Sequence, residues 1–249
     1  MSELVSTRVE GGIAIVEMHR PPSNFFDEAM LAELASAVIE LDAAPDVRAI
    51  VLCSEGKHFC AGADLRGVDA NGLRSVYRQA FAIFTARKPI VAAVQGAAVG
   101  GGLGLALAAD FRVATGDSRF TANFARLGFH HGFGLSVTLP AVVGRQRALD
   151  LLYTGRSIRG GEAFEIGLCD RLVESDPREA AVGLAAEIAE SAPLSLLAIR
   201  ATMRRQLVAD VHAALDVEAT AQSHLLGTAD FGEGVAASVA KRQPAFVGR

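Results

Sequence analysis

Apolar positions in this chain fall into two textures. Short, nearly continuous runs at 13–18, 49–53, 90–94 and 111–114 have the length and composition of strands. Between the first two, Met30, Leu31, Leu34, Val38 and Leu41 recur every three or four residues, which predicts a helix over 27–41 with one buried face. A further helix is predicted over about 72–86. Beyond about residue 145 strand-like runs stop, and helical patterns are read at 148–154, 162–166, 179–190, 194–206 and 211–226. Strands alternating with helices predict a layered α/β fold. The closing helices present more apolar surface than they bury alone, so they are expected to pack on the main body or on a neighbouring subunit.

One run needs separate treatment. Residues 89–109 hold no charge over 21 positions, long enough for a membrane span. The run also contains Gly96, Gly100, Gly101, Gly102 and Gly104, each costing about 1 kcal/mol in a helix interior relative to alanine. It reads instead as a strand over 90–94, a tight glycine-rich connection and a short helix.

The 249 residues, 51% hydrophobic and 21% charged, suffice for one large α/β domain with a helical extension. We place the core over 1–195 and the C-terminal helical region over 196–249. A net charge of −4 provides no basic field for nucleic acid or an anionic membrane surface. Cys53, Cys60 and Cys169 are odd in number and lack metal-type spacing, which fits a reducing compartment and small buried hydrophobes. His19, His58, His212 and His224 show no ligand spacing, so no metal site is expected. With residues 1–10 lacking an apolar secretory stretch, a cytoplasmic location is expected.

Chemistry concentrates in Phe59-Cys60-Ala61-Gly62-Ala63-Asp64-Leu65 and in Gly100-Gly101-Gly102-Leu103-Gly104. Both follow a strand-like run and place small residues where backbone N–H groups would otherwise be masked. The second opens a helix, whose N-terminus offers free N–H groups and a partial positive charge. Two such donors could grip one carbonyl oxygen as it becomes negative. Taken singly, each cluster reads more readily as a tight turn or close helix packing.

Together with Arg20-Pro21, Asn24, Leu127-Gly128, Leu139-Pro140, Phe231-Gly232-Glu233-Gly234 and the closing Lys241-Arg242-Gln243-Pro244-Ala245-Phe246, these motifs resemble the crotonase, or enoyl-CoA hydratase/isomerase, family along nearly the whole chain. The resemblance implies a crotonase-like spiral of ββα units with a C-terminal α-helical trimerisation region. It also implies homotrimers or hexamers built as dimers of trimers, and acyl-CoA thioesters as substrates, with coenzyme A entering as part of the substrate and no separate cofactor. By position, the N–H groups of Ala63 and Gly101 would form an oxyanion hole for the thioester carbonyl, stabilising an enolate. Coenzyme A and acyl contacts would fall to Asn24, Phe25, Ala61, Asp64, Leu65 and Phe133, with Lys241 of an adjoining subunit near the phosphates.

The resemblance fails at the acid–base groups. Members that hydrate enoyl thioesters carry two glutamates, and their positions here hold Gly104 and Phe124, with Asn123 where proline usually precedes the second. The aspartate that some branches use instead would fall at Gly132. None of these can move a proton. The segment Leu127-Gly128-Phe129-His130-His131-Gly132-Phe133-Gly134 offers histidines in their place, and imidazole exchanges protons near neutrality. His131, with His130 as the alternative, is the expected proton handler. Isomerisation, decarboxylation and carbon–carbon bond hydrolysis remain open, as does a non-catalytic acyl-CoA binder. A dinucleotide site is disfavoured because Leu107 stands where the third fingerprint glycine belongs. A serine hydrolase is disfavoured because Gly134-Leu135-Ser136-Val137-Thr138 lacks the closing glycine of the nucleophile elbow.

Overall fold

The computed structural model describes residues 4–64 and 69–249. β1 (Val5–Glu10) and β2 (Ile13–Met18) pair antiparallel. β3 (Ala49–Ser54) and β4 (Ile90–Val94) follow in parallel. β5 (Ala97–Val99) leaves this layer, whereas β6 (Phe111–Thr115) extends it. β5 pairs in parallel with β7 (Arg119–Thr121), which pairs antiparallel with β8 (Ser157–Arg159). β9 (Arg171–Val173) completes the larger sheet, whose order is β1-β2-β3-β4-β6-β9.

Both faces of that sheet are covered. Ile13, Ile15, Val51, Val91, Ala93 and Val113 pack under α7 (Pro177–Ala189) through Ala181, Leu184 and Ala185. The alternate residues Ala14, Val16, Ile50, Leu52, Ala92 and Val94 face the main core. There α1 (Glu28–Ala43) buries Met30, Leu31, Leu34, Val38 and Leu41, and Asp27 caps it by accepting the Met30 N–H at 3.0 Å. This double coverage is why the strands read as continuous apolar runs.

Two expectations are corrected. Strands do not stop at residue 145: β8 and β9 come later, and three residues are too few to show a period. The helices expected over 194–206 and 211–226 form one, α8 (Pro193–Leu225). The residues between them, Leu207-Val208-Ala209-Asp210, contain neither glycine nor proline, so nothing interrupts the backbone ladder. α8 runs through the boundary placed at residue 195. Its first half is tied to the core by Arg200 and Arg204, which bond the two carboxylate oxygens of Asp110 at 2.8 and 2.7 Å. On the same half, Leu194, Ile199 and Met203 are exposed.

The uncharged run over 89–109 resolves into β4, β5 and α3 (Gly101–Ala108). Among the described residues no single helix is long and apolar enough to cross a membrane. α2 (Ala70–Phe84) and α9 (Ala229–Ala240) flank the region described next.

Candidate active site

Backbone hydrogen bonds lock the two glycine-bearing segments together. The Phe59 N–H donates to Gln95 O at 2.8 Å, Cys60 N–H to Ala97 O at 3.0 Å, and Val99 N–H to Cys60 O at 3.0 Å. On the other side, Phe26 N–H donates to Gly62 O at 3.1 Å and Asp64 N–H to Phe26 O at 2.7 Å. Two turns in this frame require glycine: Gly62 has φ 121°, and Gly100, at the start of α3, has φ 55° and ψ −119°, regions that side chains disfavour. The outcome is that the N–H groups of Ala63 and Gly101 have no hydrogen-bond partner among the described residues. Both residues line one cavity of about 830 Å³. An unpaired N–H beside a cavity is a donor available to a ligand.

The remaining wall is largely aromatic. Phe25, Phe26, Phe124, Phe129 and Phe133 all line the cavity. Phe133 is held in the left-handed region (φ 61°) and is fully buried, with its ring 5.4 Å from Phe26 and 6.1 Å from Phe84. It explains Gly104, which lies beneath it in α3: a Cβ there would stand 2.5 Å from Phe133 Cβ and 2.9 Å from its Cγ. The space that a side chain at residue 104 would take is filled by this phenylalanine. Gly132 is explained in a similar way, since a Cβ would collide with the Tyr77 hydroxyl.

Tyr77, from α2, and Gln222, from α8, are cavity-lining polar groups; the resemblance puts Tyr77 in the segment covering the acyl pocket, as a surface or lid residue rather than a catalyst, whereas Gln222 was not singled out from the sequence. The Tyr77 hydroxyl donates to Gln222 Oε1 at 2.5 Å, and Gln222 Nε2 donates to His130 O at 2.8 Å. Burial pushes the Tyr77 phenol well above its ordinary range, and the Glu218 carboxylate pushes it further. Glu218 is itself fully buried, accepting the Gly134 and Ser136 N–H groups at 2.8 and 2.9 Å. Burial raises its carboxyl, opposed by those bonds. A signal for both α8 residues existed: Glu218 and Gln222 continue the stripe of Val211, Leu215 and Ala219 at helical spacing, and polar residues on a buried stripe call for partners.

Other candidates are placed as follows. Ala61, Asp64 and Phe124 line the cavity, as do Phe25 and Phe133. Asn24 does not: it is buried with φ 49°, its Oδ1 accepting the Arg20 N–H at 2.9 Å and its Nδ2 donating to Glu55 O and His58 O at 2.8 and 2.7 Å. Its polar atoms are thus used in holding the turn before Phe25. His130 and His131 also lie outside the lining, with rings stacked at 4.1 Å. His131 Nε2 meets Ser136 Oγ at 2.9 Å, and burial, with His130 beside it, lowers its pKa to about 4. Lys241 is exposed at the C-terminus of α9, outside the lining, although Val235, Ser238 and Val239 of that helix reach the cavity. Leu65 lies outside the described residues. Cys60 is completely buried and its thiol is pushed up to about 12, leaving it protonated rather than nucleophilic. No cluster of three His, Cys, Asp or Glu side chains suited to a metal occurs among the described residues.

A sequence model of the enoyl-CoA hydratase/isomerase family matches residues 8–249. The chain belongs to that family. It is 34% identical to a Bacillus subtilis protein named probable enoyl-CoA hydratase, over 98% of each chain. It is 31% identical to the 1,2-epoxyphenylacetyl-CoA isomerase of Escherichia coli, over the whole of both. The crystal structure of an enoyl-CoA hydratase/isomerase from Pseudoalteromonas atlantica superposes with a TM-score of 0.90 at 31% identity, covering 98% of this chain and all of the other. The protein is thus an acyl-CoA enzyme of the enoyl-CoA hydratase/isomerase family, with the crotonase fold. Relatives at similar identity perform different reactions, so the reaction must be sought in the cavity.

Proposed function

We propose that this enzyme forms a thioester enolate by expelling a carbon-bound leaving group, with decarboxylation of a malonyl-type acyl-CoA as the reaction the cavity suits best. The observation that carries this reading is the filling of both glutamate positions by aromatic side chains: Phe133 over Gly104, and Phe124 itself. Hydration needs a group that activates water and another that protonates carbon. Decarboxylation needs no base, because the electron pair of the breaking Cα–carboxylate bond becomes the enolate.

In this reading the Ala63 and Gly101 N–H groups receive the thioester oxygen, each donor worth about 3–4 kcal/mol as negative charge develops. The phenylalanine-lined wall exchanges the substrate carboxylate's hydration for an apolar setting, which favours loss of its charge as carbon dioxide. Ala61 and Phe25 fit the thioester arm, with Lys241 near the coenzyme A phosphates. No cofactor is needed beyond the coenzyme A that the substrate brings. Trimers or dimers of trimers would cover Leu194, Ile199 and Met203, which light scattering can size.

A second reading rests on Asp64, the single carboxylate in the described cavity lining. It could carry a proton between carbons of an enoyl thioester, making the enzyme a double-bond isomerase. Chromatography with mass detection over malonyl-, methylmalonyl-, enoyl- and dienoyl-CoA separates the two. Loss of carbon dioxide from a malonyl-type ester supports decarboxylation; a shifted double bond without mass change supports isomerisation. Brisk hydration of crotonyl-CoA would defeat both, and tight binding of every ester without product would indicate a non-catalytic binder.

A further inference from the structure

We propose that the Tyr77 hydroxyl is the acid that delivers the proton to the enolate carbon, a role that rests on the enolate-forming reading above. Several features converge on this hydroxyl. It belongs to the same cavity as Ala63 and Gly101, and it occupies the space that a side chain on residue 132 would enter. The other polar side chains of the lining are less suited to the task. Asn123 and Gln222 are amides, Ser238 lies exposed on α9, and Asp64 would be the shuttle of the alternative reaction.

The surroundings also fix which way the proton sits. His130 O can only accept, so it orients the Gln222 amide with Nε2 toward itself. That turns Oε1 toward Tyr77, which must then be the donor. The phenol is thereby held neutral with its one proton donated to Gln222 Oε1, and delivery requires the hydroxyl to rotate off that amide oxygen toward the enolate; the buried Glu218 nearby opposes its ionisation at rest. Such a group does not act as a resting base, yet it can protonate an enolate carbon, which is a much stronger base than a phenolate.

The step balances as follows. Loss of carbon dioxide leaves the electron pair of the broken bond in the enolate. That pair forms a Cα–H bond with the Tyr77 proton, the thioester carbonyl is restored, and the phenolate takes its replacement proton from solvent. One proton is consumed for each carbon dioxide released.

Tyr77→Phe keeps the ring packed and removes only the hydroxyl, so it tests the step. Malonyl-CoA gives the rate, and methylmalonyl-CoA in deuterium oxide gives the stereochemistry of the new Cα–D bond. The expected result is a fall in kcat of about 10²- to 10⁴-fold, the usual worth of a general acid, with KM changed only a few-fold. Deuterium should enter one face with the native enzyme and both faces with the variant, because solvent then protonates the released enolate. A merely structural tyrosine would not alter that ratio. Unchanged kcat and retained facial selectivity in the variant would overturn Tyr77 while leaving the decarboxylase reading intact. Failure of the native enzyme to decarboxylate either ester would overturn both.

Discussion

Replacing Gly104 by alanine tests whether packing by Phe133 is what excludes a side chain at that position. On propensity alone the change should stabilise α3 by about 1 kcal/mol. The new Cβ, however, would stand 2.5 Å from Phe133 Cβ and 2.9 Å from its Cγ, against about 3.5–4.0 Å for comfortable carbon contact. Phe133 cannot easily retreat, being buried between Phe26 and Phe84 on a left-handed backbone. Overpacking of this kind costs about 1–3 kcal/mol. The net expectation is therefore destabilisation of about 0–2 kcal/mol, or a midpoint lowered by about 2–4 °C per kcal/mol in a chain of this size. In a Phe133→Gly background both the ring and the Cβ that stands 2.5 Å away are gone, and glycine tolerates the φ of 61° there, so the same substitution should instead stabilise by about 1 kcal/mol. Denaturant melts of the four proteins give the coupling directly, expected at about 1–3 kcal/mol, within the range for contacting residues. If Gly104→Ala stabilised the native protein and the coupling were zero, Phe133 would not be what excludes a side chain there.

Further predictions concern the residues whose expected roles changed. His131→Ala should leave turnover of the true substrate unaltered, and a loss of kcat beyond tenfold in a well-folded variant would return that histidine to the mechanism. The same histidine binds its proton near 6.5 when unfolded but only near 4 when folded, so the unfolded chain takes up the proton first. Its contribution to stability is lost as pH falls from about 6.5 toward 4, and melts of the variant should show a shallower loss across that window. Asn24→Ala removes three hydrogen bonds worth about 1 kcal/mol each, and should destabilise by about 3 kcal/mol without changing the affinity of an acyl-CoA; calorimetry that found weakened binding in a stable variant would restore Asn24 as a ligand contact.

Legibility differed from element to element for physical reasons. The central strands were plain in the sequence because a sheet covered on both faces has no polar alternation to obscure it. β1 was missed because most of its residues are exposed and their apolar content is low. β5, β7, β8 and β9 are three residues each, pairing only because neighbouring segments present backbone partners. Residues of both glycine clusters reach the cavity, since a backbone that must leave N–H groups unpaired at sharp turns leaves its requirement in composition. His131 misled for the opposite reason: its chemistry is written in the residue type, but access to the cavity is not.

By itself, the sequence determined the alternating α/β architecture, the family, and that Gly104 and Phe124 carry no proton-moving group, all of which follow from residue type and order along the chain. Only the tertiary structure decided what fills the space left behind. Phe133 closes over Gly104, while Tyr77 from α2 meets Gln222 from α8 across 145 residues of chain, with Glu218 one helical turn away from Gln222 on α8. No local pattern records such a meeting, because it depends on how separate helices pack and which side chains the surrounding core leaves room for.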